Sequence, residues 1–353
     1  EVNGSVYFDT MKFIEKQPDI YGQLSGRKVD ELLAASRDDL KNQREKKHPS
    51  DFAIWIKAAP AHIMRWKSPW GTGFPGWHLE CSAMSTKYLG QTFDIHGGGN
   101  DLKFPHHENE VAQNFGACGC APANYWMHGN MLLMNGRKMS KSDGNTITPQ
   151  QLFSGDSPHV SKGYSPMVVR FFMLQTHYRS TLDLTDEALQ AAEKGYRRLL
   201  EGYKTLRELQ HPGDGPAGAL DREVNELIEQ VHQEMDDDFN TPKALARLFE
   251  LVTKVNSIKD GHLQLGQLTA TTLERLKDTF DDFIFEVFGL QEEGAAGENG
   301  NGIVDGLMAL IIEMRQEARA KKDWATSDKI RDALQELNIQ LKDSKEGTTW
   351  IKQ

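Results

Sequence analysis

Near residue 165 the sequence changes texture, and that change limits the folds open to it. Between about 50 and 150, short apolar runs alternate with helix-like segments, as in an α/β layer. Beyond about 165 one helix-like segment follows another, with Gly-rich interruptions at Pro212 to Gly218 and Glu293 to Gly302 that read as linkers. The expected fold class is therefore α/β followed by all-α. A chain of 353 residues has room for two or three domains. It opens at Glu1 on Val6-Tyr7-Phe8-Asp9, which reads as a strand entered from something earlier, so the chain is expected to begin inside a domain.

Several elements can be placed from local pattern. Residues 28–47 read as a helix with Leu32, Leu33 and Leu40 on one side. Phe93-Asp94-Ile95-His96 reads as a short buried strand, broken by Gly97-Gly98-Gly99. Met131-Leu132-Leu133-Met134 reads as another, closed by the hairpin signal Asn135-Gly136. Asn240 or Thr241 can cap a helix with Pro242 at its first position, and Leu245, Leu248, Phe249 and Val252 then share an apolar face. The last block predicts helices near 304–321 and 326–337, then a turn at Lys345-Glu346-Gly347 between extended segments.

Charge and cysteine usage narrow the function classes. The net charge of −10 is concentrated: residues 221–300 hold 18 acidic and 7 basic side chains. A nucleic-acid partner on the remaining surface is thus compatible with the sequence. The longest apolar runs fall far short of the roughly 18 residues that cross a bilayer, so no membrane role is expected. Three cysteines, Cys81, Cys118 and Cys120, are too few for a disulfide framework and suit a reducing cytoplasm, with Cys118-Gly119-Cys120 read as a surface loop.

Two groups of residues can carry chemistry. His106 and Glu110 stand four apart after Pro105, which suits a first helical position, so they share one helix face. With Cys81 they form a thiolate, imidazole and carboxylate set that zinc accepts and that magnesium and calcium do not favour. The alternative is a buried thiol, a helix-start histidine and an exposed glutamate. Arg137-Lys138-Met139-Ser140-Lys141-Ser142 follows the hairpin signal, and its lysines and hydroxyls suit neutralisation of departing pyrophosphate. A solvated basic loop is the plainer reading.

The run Lys138 to Ser142, KMSKS, resembles the signature loop of class I aminoacyl-tRNA synthetases. Gly76 to Met84 (GWHLECSAM), Phe93 to Glu110 (FDIHGGGNDLKFPHHENE) and Asn124 to Met131 (NYWMHGNM) are similar to the cysteinyl-tRNA synthetase family. The similarity continues through Asp237 to Leu248 and Gly347-Thr348-Thr349-Trp350, so it covers nearly the whole chain. The resemblance implies the C-terminal portion of a Rossmann-like catalytic domain, then a helical tRNA-binding bundle and a small C-terminal domain. It divides the chain into a connective insertion (1–66), catalytic second half (67–150), stem-contact helices (151–215), anticodon-binding bundle (216–300) and C-terminal anticodon-recognition domain (301–353).

The resemblance also implies roles. One Zn2+ per chain would bind Cys81, His106 and Glu110 and select the thiol of L-cysteine. Trp77 and His96 would shape the cysteine pocket. Gly97, Gly98, Gly99 and Asp101 would line the adenylate site, and Lys138, Ser140, Lys141 and Ser142 would meet ATP, which enters with Mg2+. A cytoplasmic monomer would join L-cysteine to the 3′ end of its partner, cysteine tRNA, through a cysteinyl-adenylate. The helices around Arg170, Arg179, Arg197 and Arg198 could approach tRNA, and Trp350 could stack on an anticodon base.

A thiol pocket of this kind rejects serine by ligand chemistry where shape alone could not. The family's HIGH histidine pair is absent from the twelve histidines, so this chain alone is expected to be an incomplete, inactive portion of the enzyme. Three other readings compete. They are a cysteine ligase of mycothiol synthesis, a noncatalytic tRNA- or zinc-binding fragment, and a zinc hydrolase, the last opposed by the lack of a second histidine after His107-Glu108.

Overall fold

The computed structural model describes residues 1–27, 45–213, 217–292, 307–308, 310–319, 321, 323–336, 339–344 and 347–352. The helix expected over 28–47 lies outside them, apart from residues 45–47, which are not helical. The chain forms two compact units. One comprises Glu1–Tyr164, Gln175–Gln190 and Phe239–Pro242; the other comprises Ser165–Leu174, Ala191–Asp238 and Lys243–Gln353.

The first unit opens with β1 (Val6–Phe8), α1 (Thr10–Lys16), β2 (Phe52–Lys57), β3 (Trp66–Ser68) and β4 (Gly71–Pro75). The four strands form an antiparallel sheet in the order β1-β2-β4-β3. Asp9 caps α1 by accepting the Lys12 N–H at 3.1 Å, which satisfies a donor that the helix start leaves open. Asp51, buried, accepts from Thr10 N and His48 N, and so ties the entry of β2 to the start of α1. Phe8 stacks on Phe52 with ring centroids 4.8 Å apart, and both pack with Phe13, Tyr21 and Ala112.

Next come α2 (Trp77–Leu89), β5 (Phe93–Gly99), α3 (Glu108–Cys118) and β6 (Ala123–Gly129). A π-helical turn at Lys103–His107, with Phe104 off helical geometry and a cis Phe104–Pro105 bond, leads into α3. Strands β5 and β6 pair in parallel around α3, the crossover unit that the α/β texture predicts. Two local expectations need correction. Gly97, Gly98 and Gly99 continue β5 instead of breaking it, because Met127, His128 and Gly129 pair with them in register. Nor is β5 fully buried, since Ile95 is 54 % exposed.

Then follow β7 (Leu132–Met134), β8 (Arg137–Lys138), α4 (Pro149–Ser154), α5 (Pro166–Leu174), β9 (Leu182–Leu184) and α6 (Asp186–Glu208). Asn135 and Gly136 turn β7 into β8 with φ of 50° and 74°, both positive as a two-residue hairpin turn requires. Strand β9 interrupts the expected run of helices and pairs in parallel with β7. Three residues are too few for an alternation to show. The expected surface loop at Cys118-Gly119-Cys120 is closed by a disulfide, which a left-handed Gly119 accommodates.

In the second unit, α7 (Ala219–Asp236), α8 (Thr241–Lys259) and α9 (Ala270–Asp281) bury Val224, Ile228, Leu245, Leu248, Leu251, Val252, Leu273 and Phe280. Helix α8 begins at Thr241, so the expected helix is present with Pro242 at its second position, one residue later than predicted. Residues 307–308 and 310–319 are helical, α10 spans Trp324–Glu336, and β10 (Ile339–Ser344) pairs antiparallel with β11 (Gly347–Lys352). No helix among the described residues is long and apolar enough to cross a membrane.

Phe52→Ala is expected to destabilise the first unit by about 3–5 kcal/mol, the usual cost of emptying an aromatic core position. Urea unfolding of the two proteins measures this, and a cost below about 1 kcal/mol would show that the Phe8–Phe52 stack is not the packing centre.

Candidate active site

The site is built from the inner ends of α2, β5, α3 and β6. Gly76, just before α2, lies so near the Ala53 carbonyl that a Cβ there would collide with it, and its N–H donates to Ile54 O at 2.7 Å. This fixes the start of α2 against β2 and sets the positions of Trp77, His78 and Cys81. Trp77, more than half exposed, holds its ring 4.4 Å from that of His106. His78 Nε2 lies 2.9 Å from His106 Nδ1. Burial, then the neighbouring His106 and Lys46, push the His78 pKa down to about 4.

A second set of imidazoles lies along the parallel strands. His96 on β5 shares a hydrogen bond with buried Glu110, Nε2 to Oε2, at 2.9 Å. His107, also buried, places Nδ1 2.8 Å from Nε2 of His128 on β6. Burial and the surrounding histidines push His107 down to about 4, and burial and Lys103 lower His128. His107 and His128 are thus held towards the neutral form, the one that ligates metals and accepts protons. Gly98 leaves space for His107: a Cβ there would stand 2.7 Å from the ring's Cε1. Gly99 likewise approaches the Asp101 carboxylate, whereas a Cβ at Gly97 would meet only ordinary contacts.

The expected ligand set is only partly assembled. Among the described residues, the three potential ligands whose donor atoms all lie within 4.8 Å of one another are His96, His107 and Glu110. Cys81 and His106 are not in that group. The turn before α3 aims His106 at Trp77 and His78, while His96 takes the place beside Glu110. Cys81 is nonetheless near this carboxylate: burial, then the charges of Glu110 and Glu80, push its thiol pKa up. Sequence analysis missed His78, His107 and His128, although the density of histidines in Gly76 to Met131 was a visible signal.

The KMSKS segment forms a closed loop. Both carboxylate oxygens of Asp183 on β9 accept the Gly136 N–H, at 2.9 and 3.0 Å, and pin the turn that precedes it. The Asn145 side chain accepts from Ser140 N and donates to Lys138 O, at 2.8 and 2.9 Å, and Ser140 Oγ lies 2.6 Å from Ser142 Oγ. Lys138 and Lys141 are exposed and have no carboxylate partner among the described residues. Trp350 lies on β11 opposite Leu341; its side chain is outside the described residues.

Comparison with known proteins decides the family. Residues 1–194 match the model of the class I (C) tRNA synthetase catalytic domain, 230–292 the DALR domain, and 309–350 the cysteinyl-tRNA ligase anticodon binding domain. The chain belongs to the cysteinyl-tRNA synthetase family. A cysteine--tRNA ligase of Porphyromonas gingivalis is 48 % identical over 98 % of this chain and 69 % of the relative. One from Bacteroides thetaiotaomicron is 47 % identical over 99 % and 69 %, and one from Chlorobaculum tepidum 45 % over 100 % and 68 %.

As a member of this family the chain is a class I aminoacyl-tRNA synthetase, an ATP-using ligase of protein biosynthesis that joins cysteine to tRNA. The expected α/β catalytic region followed by helical tRNA-binding domains is likewise that of the cysteinyl-tRNA synthetase family. An anticodon-binding match removes the competing readings of an aminoglycoside ligase and a zinc hydrolase.

The space that Gly98 leaves open gives a direct test. Gly98→Ala is expected to displace the His107 ring and cost about 1–3 kcal/mol, as overpacking of a filled interior does. Urea unfolding, together with the imidazole resonances of His107 and His128, would record it, and an unchanged His107 environment would refute the close approach.

Proposed function

We propose that this synthetase forms cysteinyl-adenylate from L-cysteine and ATP, that zinc selects the substrate thiol, and that the acyl group then passes to the 3′ end of cysteine tRNA. The observation that carries this reading is the group of His96, His107 and buried Glu110, with the part-buried Cys81 thiol close enough to feel the Glu110 charge.

The residues present fit zinc. Near Cys81, negative charge from Glu110 and Glu80 disfavours the thiolate, an imbalance that a divalent cation reverses. Ser82, next to Cys81, and Gln113, one turn beyond Glu110, bury polar side-chain atoms without hydrogen-bond partners, so this region has bonding capacity to spare. Cys81, His106 and Glu110 would hold the ion, as the resemblance implies, with His96 and His107 poised beside Glu110. Bound there, zinc supplies a soft Lewis acid that prefers sulfur to the hydroxyl of serine.

The remaining roles follow from charge and position. Trp77 and His96 would bound the amino-acid pocket, and Gly97, Gly98 and Gly99 would let the adenylate approach the backbone beside Asp101. Attack of the cysteine carboxylate on the α-phosphate needs alignment and charge stabilisation more than a side-chain acid. Lys138 and Lys141, free of carboxylates on the Asn145-closed loop, would meet the charge moving onto pyrophosphate, with Ser140 and Ser142 as hydroxyl donors and Mg2+ arriving with ATP.

We read the tRNA-binding portion as stem-contact helices over 151–215, a bundle over 216–300 and a recognition domain over 301–353 that carries Trp350. The two family matches that fall within 216–353 support this division. A cytoplasmic monomer is the working form we propose, in keeping with its tRNA substrate.

Metal analysis and calorimetry test the zinc reading. The purified chain is expected to hold about one zinc, Cys81→Ala to weaken zinc binding by at least about tenfold, and cysteine to bind in preference to serine only with metal present. Equal zinc retention by Cys81→Ala would overturn the ligand assignment. In an aminoacylation-competent preparation, Lys141→Ala should lower cysteine-dependent ATP–pyrophosphate exchange by about 10²–10³ while cysteine binding persists. Unchanged exchange would remove Lys141 from the ATP site.

A further inference from the structure

The disulfide between Cys118 and Cys120 plays no part in the reaction derived above, and its surroundings give it a chemistry of its own. The two residues are two positions apart, with Cα atoms 5.5 Å apart. A crosslink closing so short a loop removes little freedom from the unfolded chain, so it is a poor structural staple. Both cysteines are partly exposed, in reach of small solutes.

Their environments differ. Asn114, buried, directs its side-chain Nδ2 to Gln91 O at 2.9 Å, to Cys120 O at 3.0 Å and towards Cys120 Sγ at 3.6 Å. Cys118 Sγ instead lies 3.2 Å from the backbone carbonyl of Asn114, at the C-terminal end of α3. An amide donor favours a thiolate; a carbonyl oxygen and the negative end of a helix disfavour one. The loop that holds the sulfurs is itself fixed, since Thr92 Oγ1 donates to Ala121 O at 2.6 Å and Phe93 N to Pro122 O at 3.0 Å.

We propose that Cys118 and Cys120 form a thiol–disulfide exchange site for low-molecular-weight disulfides, in which Cys120 is the attacking thiol and Cys118 the resolving one. In the reduced chain the Cys120 thiolate attacks one sulfur of the small disulfide, forms a mixed disulfide and expels one small thiol. Cys118 loses its proton and attacks Cys120 Sγ, closing the protein disulfide and expelling the second thiol. Two protein thiols are oxidised and one small disulfide is reduced to two thiols, so electrons and protons balance. Excess small thiol drives the same steps in reverse.

Oxidised glutathione is the probe, applied to the reduced 353-residue chain with timed alkylation and peptide mass mapping, and Cys81 serves as the internal reference. The expected result is a Cys118–Cys120 disulfide that forms before Cys81 reacts and reopens in reduced glutathione. Cys118→Ser should accumulate the glutathione adduct at Cys120 roughly three- to tenfold faster than Cys120→Ser does at Cys118, and Asn114→Ala should bring that ratio towards one. If Cys118 and Cys120 of the unsubstituted chain stay as alkylatable as Cys81, the exchange site does not exist. Equal trapping by the two serine variants would overturn the assignment of the attacking thiol.

Discussion

The parallel pairing of Phe93–Gly99 with Ala123–Gly129 is the constraint on which the candidate site depends. Parallel neighbours cannot be joined by a tight turn, so the chain must cross over, and the crossover here is α3 with its leading turn. That one topological fact brings residues 96, 106–110 and 128 to the same end of the strands, where open α/β sheets place their ligand sites. Register then sets the detail. Gly98 stands opposite His128, and because it has no side chain the His107 ring can lie against the strand and reach His128.

Burial gives this histidine group its chemical character. His78, His107 and His128 lose water on burial and lie beside other imidazoles or cations, so these three are held towards the neutral form. A neutral imidazole can donate from one nitrogen and still present a lone pair on the other. The KMSKS loop is the electrostatic opposite: two exposed ammonium groups on a backbone ring closed by Asn145, without carboxylates to draw them aside.

What the sequence disclosed, it disclosed where a rule is local. Asn135-Gly136 reads as a hairpin because both residues accept positive φ, and Pro242 marks a helix start because its fixed φ suits the first turn. The four-residue spacing of His106 and Glu110 predicted one helix face, but only Glu110 lies on α3, while His106 stands in the π-helical turn before it and faces Trp77 and His78. His96 came to Glu110 because the crossover helix returns beside its strand, and the four-stranded antiparallel sheet arose from pairing between separate segments, neither of which a local pattern shows. Strand β9 was illegible because its pairing partner, Leu132–Met134, lies about fifty residues away and three residues carry no period of their own.

Two carboxylates on the first turn of α3 show how burial and purpose diverge. Glu108, fully buried, has one oxygen accepting Gly22 N at 3.0 Å and the other Ser25 N at 2.6 Å, so its charge is shared with two backbone dipoles and fastens the segment after α1. Neighbouring Asn109 receives the hydroxyl of buried Tyr21 and extends the same clasp. Glu110, two residues on and almost as buried, has the His96 imidazole as its hydrogen-bonding partner, and its charge acts on the Cys81 thiol. A buried carboxylate with a single side-chain partner is costly to the fold unless it is matched by positive charge. Glu108 is satisfied by the chain itself, whereas Glu110 is the residue that both the expected and the observed ligand groups share.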